Sequence, residues 1–127
     1  MKLKCIKNNI NDLSVKLRKF AFTQDQNGNL EITIDKEYTS YGVRINDLGK
    51  FYFIVTDDSE LPWWMPSEVF EVIDSETPIN WKTEQFEEYG KETIQASSLY
   101  FGHEEDIEDG TEEGWKVFQN MKSEPEK

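Results

Sequence analysis

The run Phe51-Tyr52-Phe53-Ile54-Val55-Thr56 restricts the fold more than any other stretch of the chain. Such a short, unbroken series of aromatic and β-branched residues is too brief for a typical helix and reads as a central strand. Asp57-Asp58-Ser59 ends it, and Asn46-Asp47-Leu48-Gly49 before it is a turn signal. Upstream, Tyr38 to Ile45 is rich in strand formers, and Lys2 to Lys7 places Leu3 and Cys5 on one face of a short half-buried strand. Downstream, Pro62 introduces Trp63-Trp64-Met65, Pro66 forces a break, and Val69 to Ile73 returns to a strand pattern. Strands at this short, regular spacing predict a compact antiparallel barrel.

Other segments are read from the same periodicities. Phe20 and Phe22 alternate, Asn27-Gly28 supplies a turn, and Leu30, Ile32 and Ile34 alternate again, which predicts a hairpin. Leu13 to Phe20 fits a helical stripe and strict alternation equally well. A hairpin from Trp81 to Ala96, turning at Tyr89-Gly90-Lys91, competes with a short helix over 80–89. Glu104 to Glu113 holds seven acids in ten residues and reads as a surface loop or mobile segment. Thr111 is placed to cap a helix from Glu112 to Met121, with Trp115, Phe118 and Met121 at helical spacing. Residues 1–122 are read as one domain and 123–127 as a flexible tail.

Composition bears on function through charge. The 127 residues carry 14 Lys and Arg against 26 Asp and Glu, a net charge of −12, and mean hydropathy is −0.75. Eight Phe, five Tyr and four Trp nevertheless supply apolar surface enough for a core. Residues 1–50 hold nine basic and six acidic side chains, whereas 51–127 hold five basic and 20 acidic, so the negative field belongs to the second half. Such a field repels nucleic acid and an anionic membrane face, and its complement is a basic protein. No apolar run approaches the roughly 18 residues that span a bilayer, and the N-terminus lacks the apolar core of a signal peptide, which predicts a cytoplasmic protein.

The short N-terminal strand, the wide loop, Lys36-Glu37-Tyr38-Thr39, and the segment Met65-Pro66-Ser67-Glu68-Val69-Phe70-Glu71-Val72-Ile73 resemble a Src-homology-3-like barrel. In that fold a Pro-Ser pair opens a 3₁₀ turn leading into the last strand. The resemblance covers residues 1–9 and 35–74, about half the chain, and 75–122 would be an extension. More narrowly, Tyr38 to Trp81 looks like small bacterial proteins that act as immunity partners of toxins. The chain departs from proline-peptide readers, because Trp63 and Trp64 lie only two and three positions before Pro66, so the peptide groove of those modules does not carry over. The implied fold is mainly β: a small antiparallel barrel with added hairpins and a short C-terminal helix.

Catalytic and metal chemistry find little support in the residues. With Gly110 at the sixth position of a calcium loop, Ile107 and Lys116 fall where oxygen ligands are required, so an EF-hand-type site is rejected. One cysteine and one histidine leave too few ligands for zinc, and Cys5 reads as a small buried hydrophobe. His103 has no ordered nucleophile beside it, and no phosphate-binding glycine loop or nucleophile elbow is present. The expectation is a protein without catalytic activity, cofactor or metal.

Trp63-Trp64 points instead to docking. Neighbouring strand residues face opposite ways, so one tryptophan enters the core and the other looks outward. The predicted partner-binding set is Asp57, Asp58, Glu60, Trp63, Trp64 and Glu68, an aromatic anchor ringed by acids, with the 104–113 acids as an alternative patch. The partner would be a basic protein, such as a cognate toxin blocked by carboxylates standing where it expects phosphates. The competing readings are an adaptor that uses Tyr38 and Tyr41, and an acidic mimic of nucleic acid.

Overall fold

A computed structural model describes residues 1–18, 28–87 and 90–124 of the chain. The fold is mainly β, with two antiparallel sheets and a helical C-terminal end. Strands β1 (Lys2–Cys5), β2 (Glu37–Thr39) and β6 (Phe70–Asp74) form a three-stranded sheet in the order β2-β1-β6. Strands β3 (Gly42–Asn46), β4 (Gly49–Val55), β5 (Pro62–Pro66), β7 (Trp81–Phe86) and β8 (Glu92–Ser97) form a five-stranded sheet in the order β5-β4-β3-β8-β7.

The barrel is not closed. The predicted strand from Tyr38 to Ile45 breaks at Ser40–Tyr41, where the buried Ser40 hydroxyl donates to the Gly42 carbonyl at 2.7 Å, and its halves enter different sheets. The hairpin β7–β8 then pairs with the remaining edge of β3, with Arg44 opposite Ile94, so the larger sheet extends outward. The segment predicted to be an extension is therefore part of the sheet, and the hairpin prevails over the helix at 80–89. A 3₁₀ turn at Ser67–Val69 follows Pro66 and feeds β6.

β4 holds the two halves together. Tyr52 and Ile54 enter a core built with Leu3, Cys5, Leu13 and Val69, whereas Phe53 enters a second core with Tyr100, Ile107, Val117 and Phe118. A strand buried on both sides has no polar alternation, which explains the unbroken apolar run. Cys5 is buried as expected, and desolvation pushes its thiol up to about 11, leaving it protonated and unreactive at neutral pH.

The other segments differ from the periodic reading in specific ways. Leu13 to Arg18 contributes only one helical turn, α1 (Val15–Arg18), after a 3₁₀ turn at Ile10–Asp12. Of the hairpin predicted around Asn27-Gly28, the first arm and Asn27 lie outside the described residues. Leu30 and Ile32 are buried, but Ile32 bonds back to Leu30 and Asp57 bonds to Glu31, so the second arm is an irregular wrap rather than a strand. Glu124, assigned to the tail, accepts a hydrogen bond from Ser97. No helix among the described residues is long and apolar enough to cross a membrane.

Candidate functional site: an acidic helical hairpin beside an exposed tryptophan

The acidic segment is a helix, not a loop. α2 (Glu104–Asp109) and α3 (Glu112–Lys122) form a tight hairpin. α2 begins with three acids, which suit the positive end of a helix dipole. It closes on Gly110 at φ 68°, with Gly110 N–H bonded to Ile107 and Thr111 N–H bonded to Asp106. This is the left-handed closure that glycine favours. Thr111 caps α3 as expected, its hydroxyl accepting from Gly114 N–H at 3.0 Å. The buried face of α3 is Gly114, Val117, Phe118 and Met121, so Trp115, expected on that face, is half exposed. Ile107 and Phe118 anchor the pair in the second core.

The tryptophans obey the alternation. Trp63 points outward, 49% exposed, with its indole N–H donating to Ser59 Oγ at 2.9 Å. Trp64 turns inward, stacked 4.4 Å from Phe53, edge-on to Tyr100 at 6.1 Å, and lies under the Arg44 guanidinium at 5.7 Å. Trp64 therefore leaves the predicted partner-binding surface.

The predicted acids also divide. Asp58 and Glu60 are exposed and form no ion pair or side-chain hydrogen bond among the described residues. Glu68 accepts from Ser14 N–H at 2.8 Å, so it serves the neighbouring loop. Asp57 accepts from Lys36 Nζ at 2.6 Å, Thr33 Oγ1 at 2.6 Å and Tyr38 Oη at 2.8 Å. Burial opposes its charge, but those donors outweigh it and hold the carboxyl below the ordinary aspartate range. Asp57 is thus a structural clasp between the loop before β2 and the end of β4. The same clasp occupies Tyr38, whose phenol burial pushes up to about 12, and Tyr41 is packed edge-on against Phe118 at 4.9 Å. Tyr38 is therefore buried within the clasp, whereas Tyr41 is half-buried.

Asp57→Asn is expected to destabilise the protein by about 2 kcal/mol, the scale of losing charge-assisted bonds, whereas Asp58→Asn changes stability negligibly. A carboxyl with a depressed folded pKa stabilises above its unfolded pKa and loses that contribution as pH falls through the folded value. Urea titrations across acid pH should show a steeper acid limb for wild type than for Asp57→Asn.

Two further features escape local periodicity. The helical hairpin packs near Leu61, which directly follows the Asp57–Glu60 loop, because a Cβ on Gly110 would lie 3.6 Å from Leu61 Cδ1. The loop that carries Asp58 and Glu60 therefore leads straight into a residue near the acidic hairpin. Secondly, a groove of about 550 Å³ opens between α2, the β3–β4 turn and the β7–β8 turn. Its walls carry five carboxylates, Asp47, Glu92, Glu104, Glu105 and Glu108, against two cations, Arg44 and Lys91. Arg44 is already engaged with Glu92. Glu108 is pushed above the ordinary glutamate range by desolvation, an effect that Arg44 opposes and that Asp109, Glu104 and Glu105 reinforce. Among the described residues no cluster of three or more His, Cys, Asp or Glu is arranged to hold a metal ion.

No family model, no curated protein and no solved structure matches this chain.

Proposed function

We propose that the protein is a non-catalytic binding protein of the immunity type, which docks an acidic surface onto a basic protein such as a cognate toxin and blocks it. The observation that carries this reading is Trp63, half exposed and bonded to Ser59 in the loop that also carries the exposed carboxylates Asp58 and Glu60. Holding a large indole in water is unfavourable, and a rigid aromatic set among charges is the usual anatomy of an interface anchor. The carboxylates would steer a cationic partner and set register, and the indole would supply most of the affinity. The 3₁₀ turn at Ser67–Val69 and the run of neighbours β6-β1-β2 and β3-β4-β5 support the Src-homology-3-like resemblance on which the immunity reading partly rests. Cytoplasmic residence belongs to the same reading.

Affinity capture from native cells, followed by purification of the basic protein retained, supplies the partner for the test. Trp63→Ala is expected to weaken that complex roughly 30-fold, corresponding to a hot spot of about 2 kcal/mol. Asp58→Asn combined with Glu60→Gln should slow association and flatten its salt dependence. Adding the wild-type protein should suppress whatever activity the partner has. A partner that binds all these variants equally, or keeps its full activity in the complex, refutes the proposal.

A further inference from the structure

We propose that the protein pairs with a second copy of itself along the free edge of β7, antiparallel and centred on Thr83, so that two five-stranded sheets become one. This inference stands apart from the docking reading, because β7 and the β5 strand that carries Trp63 are opposite edges of the sheet.

A sheet edge exposes backbone donors and acceptors, and folded proteins blunt it with prolines, irregular pairing or short strands. Among the described residues the two sheets have four edges, and three of them are blunted in these ways. β5 begins and ends with a proline, β2 has three residues, and the pairing of β1 with β6 shifts register between Lys2 and Leu3. β7 has none of these devices. Its six residues pair with β8 in unbroken register, from Trp81 opposite Ser97 to Phe86 opposite Glu92. Lys82, Thr83 and Gln85 are exposed, and no other strand pairs with β7 among the described residues.

The direction of the backbone groups restricts what can pair there. Ser98 N–H donates to the Asn80 carbonyl at 2.9 Å, one step beyond the Trp81 and Ser97 pair. Backbone groups alternate along a strand, so those of Asn80, Lys82 and Glu84 face β8, and those of Thr83 and Gln85 face outward with the Trp81 carbonyl. Trp81 N–H is engaged by the Pro78 carbonyl at 3.2 Å. A second copy related by a two-fold axis must set outward-facing residues opposite one another, and the central registers that do so are those about Lys82, Thr83 and Glu84.

Charge selects among the three. Centring on Lys82 or on Glu84 sets like charges face to face, which is unfavourable across a strand pair. Centring on Thr83 sets Lys82 opposite Glu84 of the second copy, twice by symmetry. Thr83 then exchanges both its backbone bonds with Thr83 of the second copy, and Gln85 N–H meets the Trp81 carbonyl. Lys82 and Glu84 already pair within β7 at 2.9 Å, so both stand on one face of the strand. The net charge of −12 on each copy opposes association, and the matched charges at the edge offset it locally.

Sedimentation equilibrium of the wild-type protein from about 10 μM to about 1 mM should fit a monomer–dimer equilibrium. Lys82→Glu and Glu84→Lys should each remain monomeric over that range, since each sets like charges opposite one another, and an equimolar mixture of the two should dimerise again. Thr83→Pro removes an outward N–H that β8 does not use, so it should abolish the dimer and leave the far-ultraviolet circular dichroism unchanged. A wild-type protein that stays monomeric, a charge variant that dimerises alone, or a mixture that stays monomeric overturns the inference. Trp63→Ala should dimerise as the wild type does, so the two proposals fail separately. A monomer that binds its basic partner through Trp63 removes only the dimer, and a dimer without a Trp63-dependent partner removes only the docking.

Discussion

Gly114→Ala is expected to cost about 3 kcal/mol or more, at or beyond the upper end of what overpacking usually costs. A Cβ at that position would lie 2.0 Å from the Asp106 carbonyl oxygen and 2.3 Å from its carbon, with Ile107 N at 2.7 Å. These are backbone atoms of α2, so no rotamer change relieves the overlap and the two helices must separate. Helix propensity alone argues the other way, because alanine inside an isolated helix is worth up to about 1 kcal/mol over glycine. The sign of the effect therefore reports which force decides. Urea unfolding should show a fall in midpoint of about 1 M or more, given slopes of about 1–3 kcal/mol/M for small proteins. An unchanged or raised midpoint would mean that α2 and α3 do not meet at Gly114.

The second large effect belongs to Phe53→Ala, expected to destabilise by about 3–5 kcal/mol. Phe53 is fully buried, stacked on Trp64 at 4.4 Å and edge-on to Tyr100 at 5.5 Å. Truncation leaves a cavity that neither ring can fill without leaving its other contacts. A loss of that size consumes much of the 5–15 kcal/mol typical of a folded domain. Thermal unfolding followed by near-ultraviolet circular dichroism would register it, since Trp64 loses its stacked environment. A drop below about 1 kcal/mol would contradict the second core as described.

How much was legible in the sequence depended on the range of the interactions involved. The β4 run, the Asn46–Gly49 turn, the opposite facing of Trp63 and Trp64, and the Thr111 cap all follow from forces acting within a few residues, and each appears where local pattern placed it. The helix over 104–109 did not, because it has a single buried apolar residue, Ile107, among five acids and no side-chain cap at His103. Docking against α3 supplies what its own sequence lacks. The role of Asp57 was hidden for the same reason: its partners Thr33, Lys36 and Tyr38 lie 19 to 24 residues away. On α3, spacing favoured Trp115, but the closeness of the helices reserved the contact for glycine. The groove, with Arg44, Tyr100 and Glu108 brought together from separate elements, had no signature in spacing at all.

The double burial of β4 reaches beyond architecture. Tyr52 and Ile54 belong to one core and Phe53 to the other, so neither core can melt and leave a properly formed strand for its neighbour. The half packed on the three-stranded sheet and the helical half are thereby tied into one all-or-none unit, and the acidic face stands or falls with the whole molecule.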